Sequence, residues 1–224
     1  MLGIFDSGMG GYNALSVVRK YVRYEDIILF TDRRNAPYGT KSRSKILGIT
    51  KENIEILRKL GARKVLIACC TASTLSPYLT DKERQFACNS LTPTVDRVKK
   101  TGAKRVTLLA TDRTVREGAF RGMLPECAVT EISAQPLVRL IDGGARDGNI
   151  TRECREYLQD IIPRIKGTHP ELIVLGCTHF HSLKKTIERA LGTPTVSSAY
   201  EGAMAFLKDI KDELREESRT LRLS

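Results

Sequence analysis

Two cysteines stand where a short apolar run meets a small, hydroxyl-bearing turn. Cys69 lies in Lys64-Val65-Leu66-Ile67-Ala68-Cys69-Cys70-Thr71-Ala72-Ser73, and Cys177 in Glu171-Leu172-Ile173-Val174-Leu175-Gly176-Cys177-Thr178-His179-Phe180. Each run reads as a buried strand delivering a thiol, with a threonine directly after it or one residue later. Two thiols on opposite sides of one carbon suit proton transfer alpha to a carboxylate. One thiolate removes the proton from one face, the other thiol returns a proton to the opposite face, and the roles exchange in the reverse direction. Cysteine fits this task because its neighbours can bring its pKa near working pH. Asp6 and His179 read as those neighbours, for Cys69 and Cys177 respectively. A helix starting near Thr71 would aim N–H groups toward Cys69 and lower its pKa.

Simpler readings exist for each residue taken alone. An isolated Cys69 is more often a structural core thiol, and Cys70 still more so, because strand alternation turns it the other way. Asp6 alone reads as a helix cap. His179 and His181 have no third or fourth ligand at a recognisable spacing, so no metal site is expected.

The elements that would position the thiols repeat along the chain. Leu2-Gly3-Ile4-Phe5 is a strand that breaks into Asp6-Ser7-Gly8-Met9-Gly10-Gly11, after which Ala14, Leu15, Val17, Val18 and Val22 recur at helical spacing. A second strand, Asp26 to Phe30, leads to the rigid turn Pro37-Tyr38-Gly39. From Thr40 to Leu60 an amphipathic helix carries Ile46, Ile49, Ile56, Leu57 and Leu60 on one face, interrupted by Asn53. Phe86 to Pro93 reads as a crossing segment. Beyond it Arg105-Val106-Thr107-Leu108-Leu109-Ala110 restates the first strand, with Thr111 and Thr114 supplying hydroxyls where Asp6 and Ser7 stood. Ala128 to Ile132 is a further strand, Thr151 to Ile165 a helix, Thr195 to Ser198 a short strand. A final helix bears Ala203, Phe206, Leu207, Ile210 and Leu214. About 64 residues separate Phe5 from Cys69 and about 68 separate Leu109 from Cys177, the spacing of a duplicated unit. The expected fold is therefore α/β: two similar Rossmann-like lobes with mainly parallel sheets, a pseudo-twofold, and the site in the cleft between them. Residues 1–91 with 197–224 would form the lobe carrying Asp6 and Cys69, and 92–196 the lobe carrying Thr111, Cys177 and His179.

At 224 residues, 41% hydrophobic and 28% charged, the chain is of globular composition. It contains no run of roughly 18 apolar residues and no signal-like core, so no membrane role and a cytoplasmic location are expected. Six cysteines without a C-x-x-C pair read as reduced thiols. The net charge of +11 is spread over segments mixed with acids, as in Lys51-Glu52 and Lys82-Glu83, which argues against a nucleic-acid groove and suits a small anionic partner.

Gly3 to Gly11, Ala36-Pro37-Tyr38-Gly39, Ala68 to Ser73 and Gly176 to Phe180, in this order and over most of the chain, resemble the signature blocks of the cofactor-independent aspartate/glutamate racemase family, its glutamate-specific members above all. The resemblance implies two α/β lobes around a cleft, no pyridoxal phosphate or other cofactor, and Cys69 and Cys177 as paired acid/base thiols. It further implies that Asp6 and His179 assist them, and that Ser7, Pro37, Tyr38, Gly39, Cys70, Thr71, Thr111, Thr114 and Thr178 line or bind an amino-acid substrate. The activity implied is interconversion of L- and D-glutamate, supplying D-glutamate for peptidoglycan. Racemisation of aspartate or another amino acid, or a degenerate binding protein on the same fold, are the alternatives, and self-association into a homodimer is left open. The chain departs from the family pattern at four places. Cys70 replaces an asparagine, and Arg139 replaces a glutamate and enters as an accessory site residue. Ser197-Ser198 replaces Asp-Ser, and Phe180-His181 replaces Tyr-Pro.

Overall fold

The computed structural model describes residues 1–22 and 26–220, and side chains as far as residue 211. The side chain of Leu214, expected in the last apolar stripe, and residues 221–224 of the expected first lobe lie outside the described part. The chain forms β1 (Leu2–Asp6), α1 (Gly11–Arg19), β2 (Ile27–Thr31), α2 (Arg43–Lys59), β3 (Lys64–Ile67), α3 (Cys70–Ser73), α4 (Asp81–Phe86), β4 (Ala87–Asn89) and α5 (Leu91–Thr101). It continues through β5 (Arg105–Ala110), α6 (Asp112–Glu117), α7 (Ala119–Met123), β6 (Ala128–Ser133), α8 (Pro136–Asp142), α9 (Arg152–Lys166), β7 (Leu172–Gly176), α10 (Lys184–Leu191), β8 (Thr195–Ser197) and α11 (Ser198–Thr220).

The strands make two parallel four-stranded sheets of the same order, β2-β1-β3-β4 and β6-β5-β7-β8. The expected two-lobed α/β fold is thus present, with β1 matching β5 and β3 matching β7. In each sheet the chain leaves the first strand toward one side and returns on the other, so a crevice opens past the carboxyl ends of β1 and β3, and of β5 and β7. Asp6 and Cys69 stand at one crevice, Thr111 and Cys177 at the other.

Strands buried on both faces read as unbroken apolar runs, and β1, β3 and β7 are buried along their whole length. On one face of the first sheet Phe5, Val65 and Ile67 pack with Ile46, Ile49, Ile54 and Leu57 of α2. On the other, Leu2, Ile4 and Leu66 meet Ala14, Val17 and Val18 of α1 and Ala203, Phe206 and Ile210 of α11. Leu91, Val95 and Val98 of α5 pack instead with Val106, Leu108 and Val174 of the second sheet. Helix starts follow local chemistry: Ser42, Thr80, Thr111 and Thr151 each accept a backbone N–H with their hydroxyl, Thr80 in a reciprocal box with Glu83. The segment from Phe86 to Pro93, expected merely to cross between units, contains the whole of β4 and the start of α5. Three residues are too few to display a strand period.

Candidate active site

Cys69 and Cys177 line one cavity of about 160 Å³ between the two sheets. Both are buried, 4% and 7% exposed. Cys69 follows β3 and caps the single-turn α3, while Cys177 follows β7 at the start of the 3₁₀ turn Thr178–Leu183. Ser7, Pro37, Tyr38, Gly39, Cys70, Thr71, Thr111, Arg139, Thr178 and His179 line the same space. Asp6 and Thr114, also expected at the site, stand one layer behind this lining.

Asp6 is not a helix cap. Its Oδ1 accepts the Gly8 N–H at 2.9 Å, and its Oδ2 accepts the Thr178 hydroxyl at 2.9 Å across the seam between the sheets. Burial pushes the Asp6 carboxyl above its ordinary value, with the charge of His179 and both hydrogen bonds opposing that rise. His179, 3% exposed, sets Nδ1 3.7 Å from the Cys177 sulfur and Nε2 3.1 Å from Asp142 Oδ1. Burial alone would lower its pKa; the Asp142 carboxylate, the Cys177 sulfur and Asp6 together raise it to about 11. These surroundings favour the charged form of the ring beside Cys177.

The thiol of Cys69 behaves otherwise. It donates to Ser7 Oγ at 3.4 Å, yet burial first, and the Asp6 charge second, push its pKa up to about 12, against the lowering by Ser7 and the Ala72 N–H. The lowering expected from a helix start does not win, because α3 is four residues long and burial of the sulfur opposes it. Asp6 likewise raises this thiol.

Hydroxyls knit the two lobes beside the cavity. Thr71 Oγ1 lies 2.9 Å from Thr111 Oγ1 and 3.1 Å from Thr114 Oγ1, and the latter two are 3.0 Å apart. Thr114 thus supports Thr71 and Thr111 from behind. Tyr38 turns its hydroxyl away from the cavity, donating to Asp32 Oδ2 at 2.6 Å and accepting from Asn53 Nδ2 at 3.0 Å. Asn53, the polar break in the apolar face of α2, is the partner of a buried phenol. Gly39 leaves no room for a side chain: a Cβ there would stand 2.0 Å from Gln135 Oε1 and 2.9 Å from Thr111 Cβ. Gln135, Val138, Asp142, Gly8 and Ala36 also line the cavity and escaped the sequence reading. Gln135 stands two residues past the end of β6 and Asp142 lies one helical turn beyond Arg139, so position past a strand end and helical spacing were the available signals. His179 and His181 do not converge, since His181 Nδ1 bonds Ser197 Oγ at 2.9 Å. Among the described residues no three His, Cys, Asp or Glu side chains form a metal-holding group, and no helix is long and apolar enough to cross a membrane.

Residues 15–205 match the family model described as Asp/Glu/Hydantoin racemase. The chain belongs to that family. Among its relatives, a glutamate racemase of Aquifex pyrophilus is 33% identical over 218 residues, covering 95% of this chain and 84% of that one. A glutamate racemase isoform from Bacillus anthracis superposes with a TM-score of 0.84 at 21% identity, over 95% of this chain and 82% of that one. A glutamate racemase from Francisella tularensis, solved in complex with D-glutamate, superposes with a TM-score of 0.81 at 23% identity, over 97% and 81%.

Within this racemase fold, the positions that depart from the family pattern have definite surroundings. Cys70 is 1% exposed and packs with Leu91, Val95 and Val106 while lining the cavity; burial holds its thiol well above the ordinary range. Ser197 and His181, two of the departures, are each other's hydrogen-bond partners, and Phe180 is fully buried in the second lobe. Arg139 stands at the cavity mouth, and its side chain makes no hydrogen bond or ion pair with any described residue. A larger groove of about 840 Å³, between α1, α10 and the start of α11, contains no thiol, and its Lys184–Glu188 and Arg97–Glu201 pairs satisfy one another.

Proposed function

We propose that this protein interconverts L- and D-glutamate, with Cys69 and Cys177 as the two acid/base groups. The observation that carries the reading is the delivery of two thiols, from matching strand ends of two matching sheets, into one small buried cavity. One thiolate takes the alpha proton and becomes a thiol. The electron pair left on the carbon is quenched by the proton of the opposite thiol, which becomes the thiolate, so the configuration inverts with no net change in charge. Asp6 and His179 order the two sides through Thr178 and Cys177. Ser7, Thr71, Thr111 and the backbone of Pro37, Tyr38 and Gly39 offer polar contacts for the substrate, and Arg139 supplies the one arginine or lysine among the described lining residues, suited to a distal carboxylate. The D-glutamate formed is suited to peptidoglycan, as the resemblance implies.

Circular dichroism of L- and D-glutamate incubated with the protein tests this: both signals decay to zero at equilibrium. In deuterated water the product, and not the remaining substrate, acquires deuterium at the alpha carbon early in the reaction. Cys69→Ser and Cys177→Ser each abolish racemisation. Optical activity that persists from both enantiomers of glutamate refutes the substrate, and decay with aspartate instead replaces it. Undiminished turnover in either serine variant refutes the two-thiol route.

A further inference from the structure

Nε2 of His179 is contested. Asp142 Oδ1 lies 3.1 Å from it and the Gly10 N–H lies 3.2 Å from it on the other side. One ring nitrogen cannot donate to the carboxylate and accept from the amide at once. If Nε2 bears hydrogen it bonds Asp142, and Nδ1 is then free to gain or lose a proton toward the Cys177 sulfur 3.7 Å away. If Nε2 is bare it accepts from Gly10, Nδ1 must carry the only hydrogen, and the neutral ring cannot take a proton from Cys177.

We propose that Asp142 is a positioning residue that keeps hydrogen on Nε2 of His179 and thereby makes Nδ1 the atom that exchanges a proton with Cys177. The step is balanced: the proton passes between Sγ and Nδ1, converting thiol and neutral ring into thiolate and imidazolium, and Nε2–H stays on Asp142 throughout. Asp142 closes α8 and remains 42% exposed, while the ring it holds is 4% exposed. The titratable groups facing the ring are Asp142 from α8, Cys177 after β7 and Asp6 at the end of β1, and of the raising influences on the ring Asp142 is the largest. Among the described residues Arg139, a turn earlier on α8, forms no ion pair with Asp142, whose carboxylate is left to His179.

The activity arm of the test rests on the racemase reading; the spectroscopic arm does not. The chain has three histidines, so ¹⁵N-labelled imidazole spectra can be assigned with His169→Gln and His181→Gln variants. In the native protein His179 is expected as imidazolium through pH 9. In Asp142→Ala it is expected as the neutral Nδ1–H form on Gly10, titrating well below the native ring. Asp142→Glu restores the native spectrum. For glutamate, Asp142→Ala is expected to lower kcat by at least about tenfold, with KM little changed, since losing the carboxylate that fixes the tautomer of an acid/base histidine costs far more in the serine-protease triad. A His179 that keeps Nε2–H and its high titration in Asp142→Ala overturns the proposal whatever the activity, as does an unchanged kcat. If the native protein racemises nothing, the functional reading falls and the spectra alone decide this one.

Discussion

Gly10 offers the sharpest test of how closely the two lobes are fitted. Its backbone has φ −56° and ψ −27°, a conformation that alanine adopts freely, so Gly10→Ala carries no backbone penalty. Space is the issue: an added Cβ would stand 2.2 Å from Thr178 Oγ1, 2.6 Å from His179 Nδ1 and 2.8 Å from the His179 backbone nitrogen. Carbon needs roughly 3.5 Å to such atoms, so even the backbone contact requires a shift of about 0.7 Å. Thr178 can rotate only by abandoning Asp6, a carboxylate with no exposure, and an uncompensated buried acceptor costs about 1–3 kcal/mol. Moving the backbone instead spreads the cleft and separates the thiols. Misplacement on the order of 1 Å is worth about 100-fold in rate. Gly10→Ala is therefore expected to lower kcat/KM for glutamate about 100-fold and stability by about 2 kcal/mol, a fall in Tm of roughly 4–8 °C. Gly48→Ala is the matched control. That residue is exposed on α2, a Cβ there meets nothing within 4 Å, and the change should stabilise by about 0.5–1 kcal/mol without altering activity. Racemisation within threefold of native by Gly10→Ala, measured by circular dichroism well below its Tm, would refute the tight seam from which the site has been built.

Two further perturbations probe the groups behind the thiols. Burial pushes Asp32 up, but its bonds from Tyr38, Asn35 and Asn53 win and hold the carboxyl below its ordinary value, so its stabilisation is present above about pH 3.9 and lost as pH falls through the lowered folded value. Tyr38→Phe should cost about 2 kcal/mol and move acid unfolding to higher pH, while leaving the ring in the cavity wall; an unchanged acid midpoint contradicts the network. Cys69, pushed up to about 12, is almost wholly thiol in the free protein. Its alkylation at pH 8 should run roughly a thousandfold slower than that of an ordinary cysteine and climb about tenfold per pH unit to pH 11, followed by peptide mass mapping; a plateau below pH 10 contradicts the desolvation argument.

What the sequence made legible was local. Apolar runs ending in Cys69 and Cys177, the glycine-rich turn after Phe5 and the repeated spacing all lie within single strand-turn units, and they sufficed for the fold and for most of the cavity wall. What escaped depends on partners far along the chain. Asp6 resembles a cap until Thr178, 172 residues away, is found on its Oδ2. Tyr38 lines the cavity as expected, while its hydroxyl is held from behind by Asp32, six residues before it, and by Asn53 of α2. A helix start next to Cys69 suggests a lowered thiol pKa, but whether dipole or desolvation prevails turns on burial, which no local pattern reports. Asp142 went unnoticed because Arg139, not the acid one turn beyond it, occupies the position the family pattern marks.

The duplicated topology makes the two thiols equivalent in place and unequal in company. Cys69 faces a hydroxyl at Ser7 and is raised by burial and then by the charge of Asp6; Cys177 faces the His179 ring. The protonation that readies one side for the L enantiomer is not the protonation that readies the other for the D enantiomer, so pH must act differently on the two directions. Mirror-image substrates nevertheless have equal free energies in water, and kcat/KM for the two directions must coincide at every pH. The asymmetry can therefore appear only in kcat and KM separately, moving together so that their ratio is preserved. Measured from pH 6 to 10, kcat for one enantiomer should rise relative to the other with a matching change in KM. Identical kcat profiles would mean that the binding of substrate, whose ammonium enters a cleft already holding Asp6, erases the difference between the two thiols before the proton moves.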